Sequence, residues 1–222
     1  MKNEITIQIL TLSKTQKTAL ELETFLKQLL AQDKTNSELL MRLAIMYSQM
    51  PFVDYALSLF YLKKALQLDA TNYQALLLYA YFSYFEFSHF NKELIHQLTS
   101  IDPKLTQYNS LAYYLLSWIF LDQNNLDKTE FFLKKSIEIY QKHVSNYISL
   151  AQLYIQQNKS GKAYTLFKQA HNNIIKIYTP ELLTSEYDRT DAVEYINTNI
   201  SGIYITEPNL KSLDEALIKY KT

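Results

Sequence analysis

The residues that decide the fold are Tyr147-Ile148-Ser149-Leu150-Ala151-Gln152-Leu153-Tyr154 and, shortly after, Ala163-Tyr164-Thr165-Leu166-Phe167-Lys168-Gln169-Ala170. Tyr147, Leu150, Ala151 and Tyr154 fall on one side of a helix, because steps of three and four residues return to the same face. Ala163, Phe167 and Ala170 do the same on a second helix. Small residues at Ala151, Ala163 and Ala170 let two helix axes approach closely, and Tyr154 and Phe167 fill the space beside them. Asn158-Lys159-Ser160-Gly161 reads as the turn between the two helices.

Working outward, the same pattern stands 34 residues earlier. There Tyr113, Leu116-Ser117, Phe120, Thr129, Leu133 and Ser136 place large on large and small on small. Two earlier copies are looser. Leu40, Leu43-Ala44 and Tyr47 open one, and Ser58, Leu62 and Ala65 close it, with two extra residues in the turn at Met50-Pro51-Phe52-Val53. Leu76, Tyr79-Ala80 and Ser83 open the next, and Ile95, Leu98 and Ile101-Asp102-Pro103 close it. Ala19 to Asp33, with Leu22, Leu26 and Leu29, reads as the second helix of a decayed repeat, and Ser13-x-x-Gln16 as its capping box.

A helix-turn-helix unit of this length with these packing positions resembles the tetratricopeptide repeat. The resemblance implies an all-α fold, a right-handed α-α superhelix of antiparallel helix pairs closed by a C-terminal helical cap. The expected organisation is an N-terminal segment and half-repeat over 1–36, about four repeats over 37–172 and a helical cap or tail over 173–222. Within the tail, Thr179-Pro180 reads as an N-cap followed by proline at the first helical position. Asp191 to Asn199 reads as a short helix ended by Gly202, and Ser212-x-x-Glu215 as a capping box opening the last helix. The tail serves as a cap for the last exposed repeat face. Alternatively, Ile203-Tyr204-Ile205 or the terminal helix folds back as a built-in ligand. Ile5, Ile7 and Ile9 alternate as a strand would, and Ile203 and Ile205 could pair with them.

Composition excludes several function classes. The chain has 222 residues with 22 basic and 22 acidic groups, 2 glycines and no cysteine. A nucleic-acid binder carries a basic face and a high pI, which this balance does not supply. Gly-rich phosphate loops, disulfides and thiolate metal sites are ruled out. Arginine occurs only at Arg42 and Arg189. The longest apolar run, Ala75 to Phe85, stops at Glu86, short of the roughly 20 residues of a spanning helix. No signal-peptide pattern is present, and the expected location is cytoplasmic. His89, His96, His143 and His171 form no metal-ligand spacing and read as surface or partly buried histidines. No catalytic residue, metal site or cofactor is expected.

In tetratricopeptide proteins one face of each first helix lines the concave surface. Carried over position by position, this places Leu77, Tyr81, Tyr84 and Phe85 there. Leu111, Tyr114, Trp118 and Leu121 follow from the next repeat, and Ile148, Gln152 and Ile155 from the last. The first repeat offers Glu38, Met41, Ile45, Ser48 and Gln49. The middle repeats should therefore present an aromatic, uncharged groove. Tyrosine and tryptophan suit partner binding, since each gives large area, few rotatable bonds and one polar handle. The Lys and Asn that grip heat-shock chaperone carboxylates in some members are absent, so an apolar or helical segment of another protein is the expected partner.

The leading reading is a non-catalytic interaction protein (an adaptor, a dedicated chaperone or an immunity-type inhibitor), similar to small stand-alone bacterial members of the family. The alternative is a self-associating scaffold, homodimeric or with its groove filled by its own tail. An enzyme with a site near Glu181, Glu186, Tyr187, Asp188, Arg189 and Asp191 is the third.

Overall fold

The computed structural model describes residues 16–177, 190–201 and 207–221. The capping box at Ser13, the alternating Ile5, Ile7 and Ile9, Thr179-Pro180, Gly202 and Ile203-Tyr204-Ile205 lie wholly or partly outside them. All regular structure among the described residues is helical. The elements are α1 (Gln16–Gln32), α2 (Ser37–Tyr47), α3 (Tyr55–Leu68), α4 (Tyr73–Phe87), α5 (Lys92–Thr99), α6 (Thr106–Asp122), α7 (Leu126–Ile139), α8 (Val144–Gln156), α9 (Ser160–Ile177), α10 (Ala192–Tyr195) and α11 (Glu207–Lys219), with a π-turn at Ile196–Ile200.

The chain forms two compact units. Among the described residues, the first holds 16–90 and 190–196, and the second holds 91–177, 197–201 and 207–221. In the first, α1 packs on α2, α2 on α3 and α3 on α4, and α10 lies against α2 and α4. In the second, α5 packs on α6, α6 on α7, α7 on α8, α8 on α9, and α11 on α9. The cores follow the size pattern of the sequence. Ala44, Ala80, Ser117 and Ala151 are all buried where helices cross, as are Ser58, Ala65, Thr129, Ser136, Ala163 and Ala170 on the second helices. Leu43, Leu62, Phe82, Leu115 and Leu116 fill the space between, each contributing about 1.5–3 kcal/mol over an exposed side chain. On α5 the buried side chains are Leu94 and Leu98, while Ile95 is only half-buried.

Asparagine and aspartate start the helices. Asn36, Asp54, Asn72, Asn91 and Asn125 each accept, through the side chain, from the N–H three residues on. Asparagine also replaces glycine in the turns. Asn124 and Asn158 hold left-handed backbone with φ of 54° and 58°. Beside them the N–H of Asn125 donates to the Phe120 carbonyl and that of Lys159 to the Tyr154 carbonyl, both at 2.8 Å. In the first pair the same closure runs from Asp54 N–H to the Tyr47 carbonyl. It spans two more residues, which are the insertion read at Met50-Pro51.

The α8–α9 turn differs from expectation. Helix α9 already begins at Ser160, so Gly161 is helical, and Asn158 supplies the positive φ. The last helix also starts earlier than the Ser212 capping box implies. It opens at Glu207 with Pro208 in its first turn, where a missing N–H costs no intrahelical bond, so Ser212 is interior.

One side-chain motif occurs twice in the described residues. The Tyr47 hydroxyl donates to Glu23 on α1, which also pairs with Lys27 at 2.6 Å. The Tyr154 hydroxyl donates to Glu130 on α7 at 2.9 Å, and Glu130 pairs with Lys134 at 2.6 Å. One spacing separates each residue of the first trio from its counterpart. Helix α1 therefore packs against α2 as α7 packs against α8.

Candidate functional site

On α2 the backbone winds through Leu39-Leu40-Met41-Arg42-Leu43-Ala44, and Arg42 is the single charge in that apolar run. The residue is 8% exposed, and its guanidinium has three partners. Nη2 lies 3.0 Å from Glu38 Oε1 and 3.5 Å from Asp191 Oδ2, and Nη1 donates to Thr190 Oγ1 at 3.2 Å. Asp191 also caps α10 by accepting from Val193 N–H at 2.9 Å. One turn on, Tyr195 enters an aromatic nest. Its ring meets Phe82 edge-on at 5.8 Å and Tyr81 at 6.2 Å, and its hydroxyl lies 3.4 Å from Ser48 Oγ. Burial pushes the Tyr195 phenol up to about 12. The chain's own residues 190–196 thus cover this side of α2 and α4.

The expected site residues of this unit divide accordingly. Leu77 has no accessible surface and belongs to the core, because α4 is packed on both sides. Tyr81 lies against Tyr195. Phe85 turns toward α3, stacking on Tyr55 at 5.6 Å while staying 46% exposed, and Tyr84 leans edge-on against it at 5.7 Å. The residues that build the contact with the tail and that the sequence reading did not single out are Arg42, Phe82 and Tyr195. A lone arginine in an apolar helix was the available signal for the first, since a buried guanidinium demands acidic partners.

In the second unit, Leu111 is fully buried and Tyr114 nearly so, with its hydroxyl 3.4 Å from Ser149 Oγ and its ring edge-on to Trp118 at 5.2 Å. Burial raises the Tyr114 phenol above its ordinary value. Trp118, Ile148 and Ile155 are half-buried, and Gln152 and Leu121 are exposed. At the start of α8 the Ser145 N–H donates to the Ser201 carbonyl at 3.2 Å, just after the π-turn. Helices α6 and α8 carry one charge, Asp122, at the last residue of α6.

His143 is not at the surface. It is fully buried, with Nδ1 2.9 Å from Ser110 Oγ, and Ser110 also donates to the Ser136 carbonyl and accepts from Asn146 Nδ2 at 3.4 Å. Burial drives the imidazole pKa down to about 3. A Ser–His pair closed to solvent and tied to backbone carbonyls is a polar core, not a nucleophile with room for a substrate. At the other end of the unit, α11 and the turn after it cover α9, with Phe167 stacked on Tyr220 at 6.0 Å and His171 paired with Asp214 on α11 at 3.0 Å. Of the acidic and basic groups considered for an enzyme site, only Asp191 is among the described residues, where it holds Arg42. The described residues contain no cluster of three or more metal-ligating side chains.

Residues 111–143 match a family model of the tetratricopeptide repeat. No curated protein matches the chain. Solved structures share its fold. A crystal structure of MamA is 23% identical with a TM-score of 0.56, covering 73% of this chain and 92% of that one. MamA from residue 41 to its end, from Desulfovibrio magneticus RS-1, is 16% identical with the same score, covering 72% and 87%. Yeast Tom70 is 18% identical with a TM-score of 0.52, covering 93% of this chain and 45% of that one. No helix among the described residues is long and apolar enough to cross a membrane. The chain carries a tetratricopeptide repeat, and its helix pairs have the all-α fold of tetratricopeptide solenoids.

Proposed function

We propose that the protein is a non-catalytic binding module that holds an apolar or helical segment of another protein against its first-helix faces. The observation that supports this most directly is the α6–α8 face. Trp118, Leu121, Ile148, Gln152 and Ile155 keep accessible surface on two helices that bear a single terminal charge. Aromatic and aliphatic groups on rigid helices, backed by a packed core, are what a protein hot spot requires. An adaptor, a dedicated chaperone and an immunity-type inhibitor all use such a face.

The test is a double substitution, Trp118→Glu with Ile155→Glu. It should abolish stoichiometric co-purification of a partner from native lysate while leaving helix content, read by circular dichroism, unchanged. A partner that stays bound to the folded double variant sinks this assignment of the face.

A further inference from the structure

We propose that the α6–α8 face takes an amphipathic helical segment of another protein whose apolar stripe ends in a lysine or arginine. That cation lodges between the Trp118 ring and the Asp122 carboxylate. The inference rests on the protein-binding reading above. It adds the charge of the bound segment and the end at which that charge lies.

The two helices run side by side in one direction. Asn146 Nδ2 donates to Ser110 Oγ, and the Tyr114 hydroxyl meets Ser149 Oγ, linking residues 36 and 35 apart. The same offset sets Asp122 level with the end of α8, where Gln156 and Gln157 are uncharged. Trp118 stands one turn before Asp122, and residues four apart share a helix face. The Trp118 ring is edge-on to the buried Tyr114 at 5.2 Å, so packing holds the indole in place.

Asp122 is poorly served by its own chain. It is exposed, and it has no ion pair or hydrogen bond among the described residues. Glu23, Glu38 and Glu130, by contrast, each pair with a base four residues on. Asp122 also ends α6, where the partial negative charge of the helix repels an acid and draws a cation. The lysines just beyond the two helices lie on the α7 side. Lys128 is over the Phe120 ring at 4.8 Å, and Phe120 stacks on Phe132 of α7. Lys159 is over the Tyr154 ring at 5.6 Å, and Tyr154 bonds Glu130 of α7. A partner ammonium or guanidinium meets the carboxylate, the carbonyl end of α6 and the indole together. One charge at one end of an otherwise uncharged pair of helices also fixes which way the segment lies.

The probes are two fluorescein-labelled helical peptides of alanine and glutamine with leucines at i, i+3, i+4 and i+7. One has lysine a turn after the last leucine, and the other has glutamine there. Each is titrated by fluorescence anisotropy into the full chain. The wild type should bind the lysine peptide about tenfold more tightly than the glutamine peptide, and the difference should shrink as salt rises. Asp122→Asn keeps its fold, since the exposed acid has no partner to lose, and should bind both peptides as the wild type binds the glutamine one. Equal binding of the two peptides to wild type, a preference that survives Asp122→Asn, or no binding of either overturns the proposal. So does a sedimenting mass that rises with concentration and stops rising in Trp118→Glu, which makes a second copy the occupant. The Trp118→Glu, Ile155→Glu double variant separates the two readings. Peptides that bind wild type equally but fail on that variant leave the face standing and remove only its charge preference. Where neither peptide binds, the co-purification test above judges the face by itself.

Discussion

On α2 and α4 the groups that could meet a partner already have a tenant in Asp191 and Tyr195. On α6 and α8, Trp118, Leu121 and Gln152 keep accessible surface, and the Ser201 carbonyl meets Ser145 N–H at the start of α8. Both faces are aromatic, so hydrophobicity does not explain the difference. Arg42 does. A buried guanidinium must be paired, and Glu38 alone leaves part of its donor fork to be satisfied. Thr190 and Asp191 complete it and bring Tyr195 within reach of its nest. Helices α6 and α8 carry no charge before Asp122, so they bury no counterpart of Arg42.

The largest expected effect separates the units by acid. His143 is buried in the second unit, whereas the one histidine among the described residues of the first, His89, is exposed. The folded His143 takes up a proton only near pH 3, but the unfolded chain does so below its ordinary value of 6.5. Its contribution is therefore fully present above about pH 6.5 and is lost as pH falls toward 3. Between pH 7 and pH 4 the second unit should lose about 3 kcal/mol. Urea melts followed through Trp118, the sole tryptophan and a resident of that unit, read the change directly. Carboxylates also titrate here, so the decisive quantity is the difference from His143→Leu, whose pH slope should be shallower by that amount. Equal slopes would mean that the imidazole is reached by water.

Next in size is Arg42→Ala, expected to cost about 2 kcal/mol, less than a fully buried pair because Glu38 and Asp191 are partly solvated. Amide exchange over residues 192–196 should quicken about 30-fold, while α6 and α8 amides keep their rates. Unchanged exchange at α10 would show that the aromatic nest alone holds the tail.

The repeats were legible in the sequence because helix crossings constrain size. Ala44, Ala80, Ser117 and Ala151 cannot be large without separating the axes, and that demand survives where chemical identity drifts. The two-residue insertion near Pro51 showed as a spacing change for the same reason. The site was less legible. Leu77 and Leu111 occupy positions that line a concave surface in the family, yet here they are closed off, because a helix apolar on all sides gives no periodic cue to which face stays open. The tail contact was invisible to pattern reading. Arg42 and Asp191 are far apart in the chain, and no local rule links them.

A smaller effect tests where the units are alike. Tyr47→Phe and Tyr154→Phe each delete one hydroxyl-to-carboxylate bond between equivalent helices and should each cost about 1 kcal/mol. Burial works to raise the Glu130 carboxyl, but the hydrogen bonds from Lys134 and Tyr154 outweigh it and hold it below its ordinary value. Glu23 is held down in the same way by Lys27 and Tyr47. A clear inequality between the two melts would break the equivalence of α1 and α7.

The smallest change, Gly161→Ala, should act on the second unit alone and in the stabilising direction. Gly161 lies in the first turn of α9, and a Cβ built there meets nothing within 4 Å. Alanine therefore removes unfolded-state freedom without adding strain, for a gain of about 0.5 kcal/mol at a helix end. The sequence alone read Gly161 as the end of the turn and the approximate start of the second helix; a glycine held in the turn at positive φ would make alanine unfavourable. The structure gives the positive φ to Asn158 instead. The sign of the shift in the Trp118-detected urea midpoint thus decides between the two assignments. A loss of stability would return Gly161 to the turn and shorten α9 from its N-terminal end.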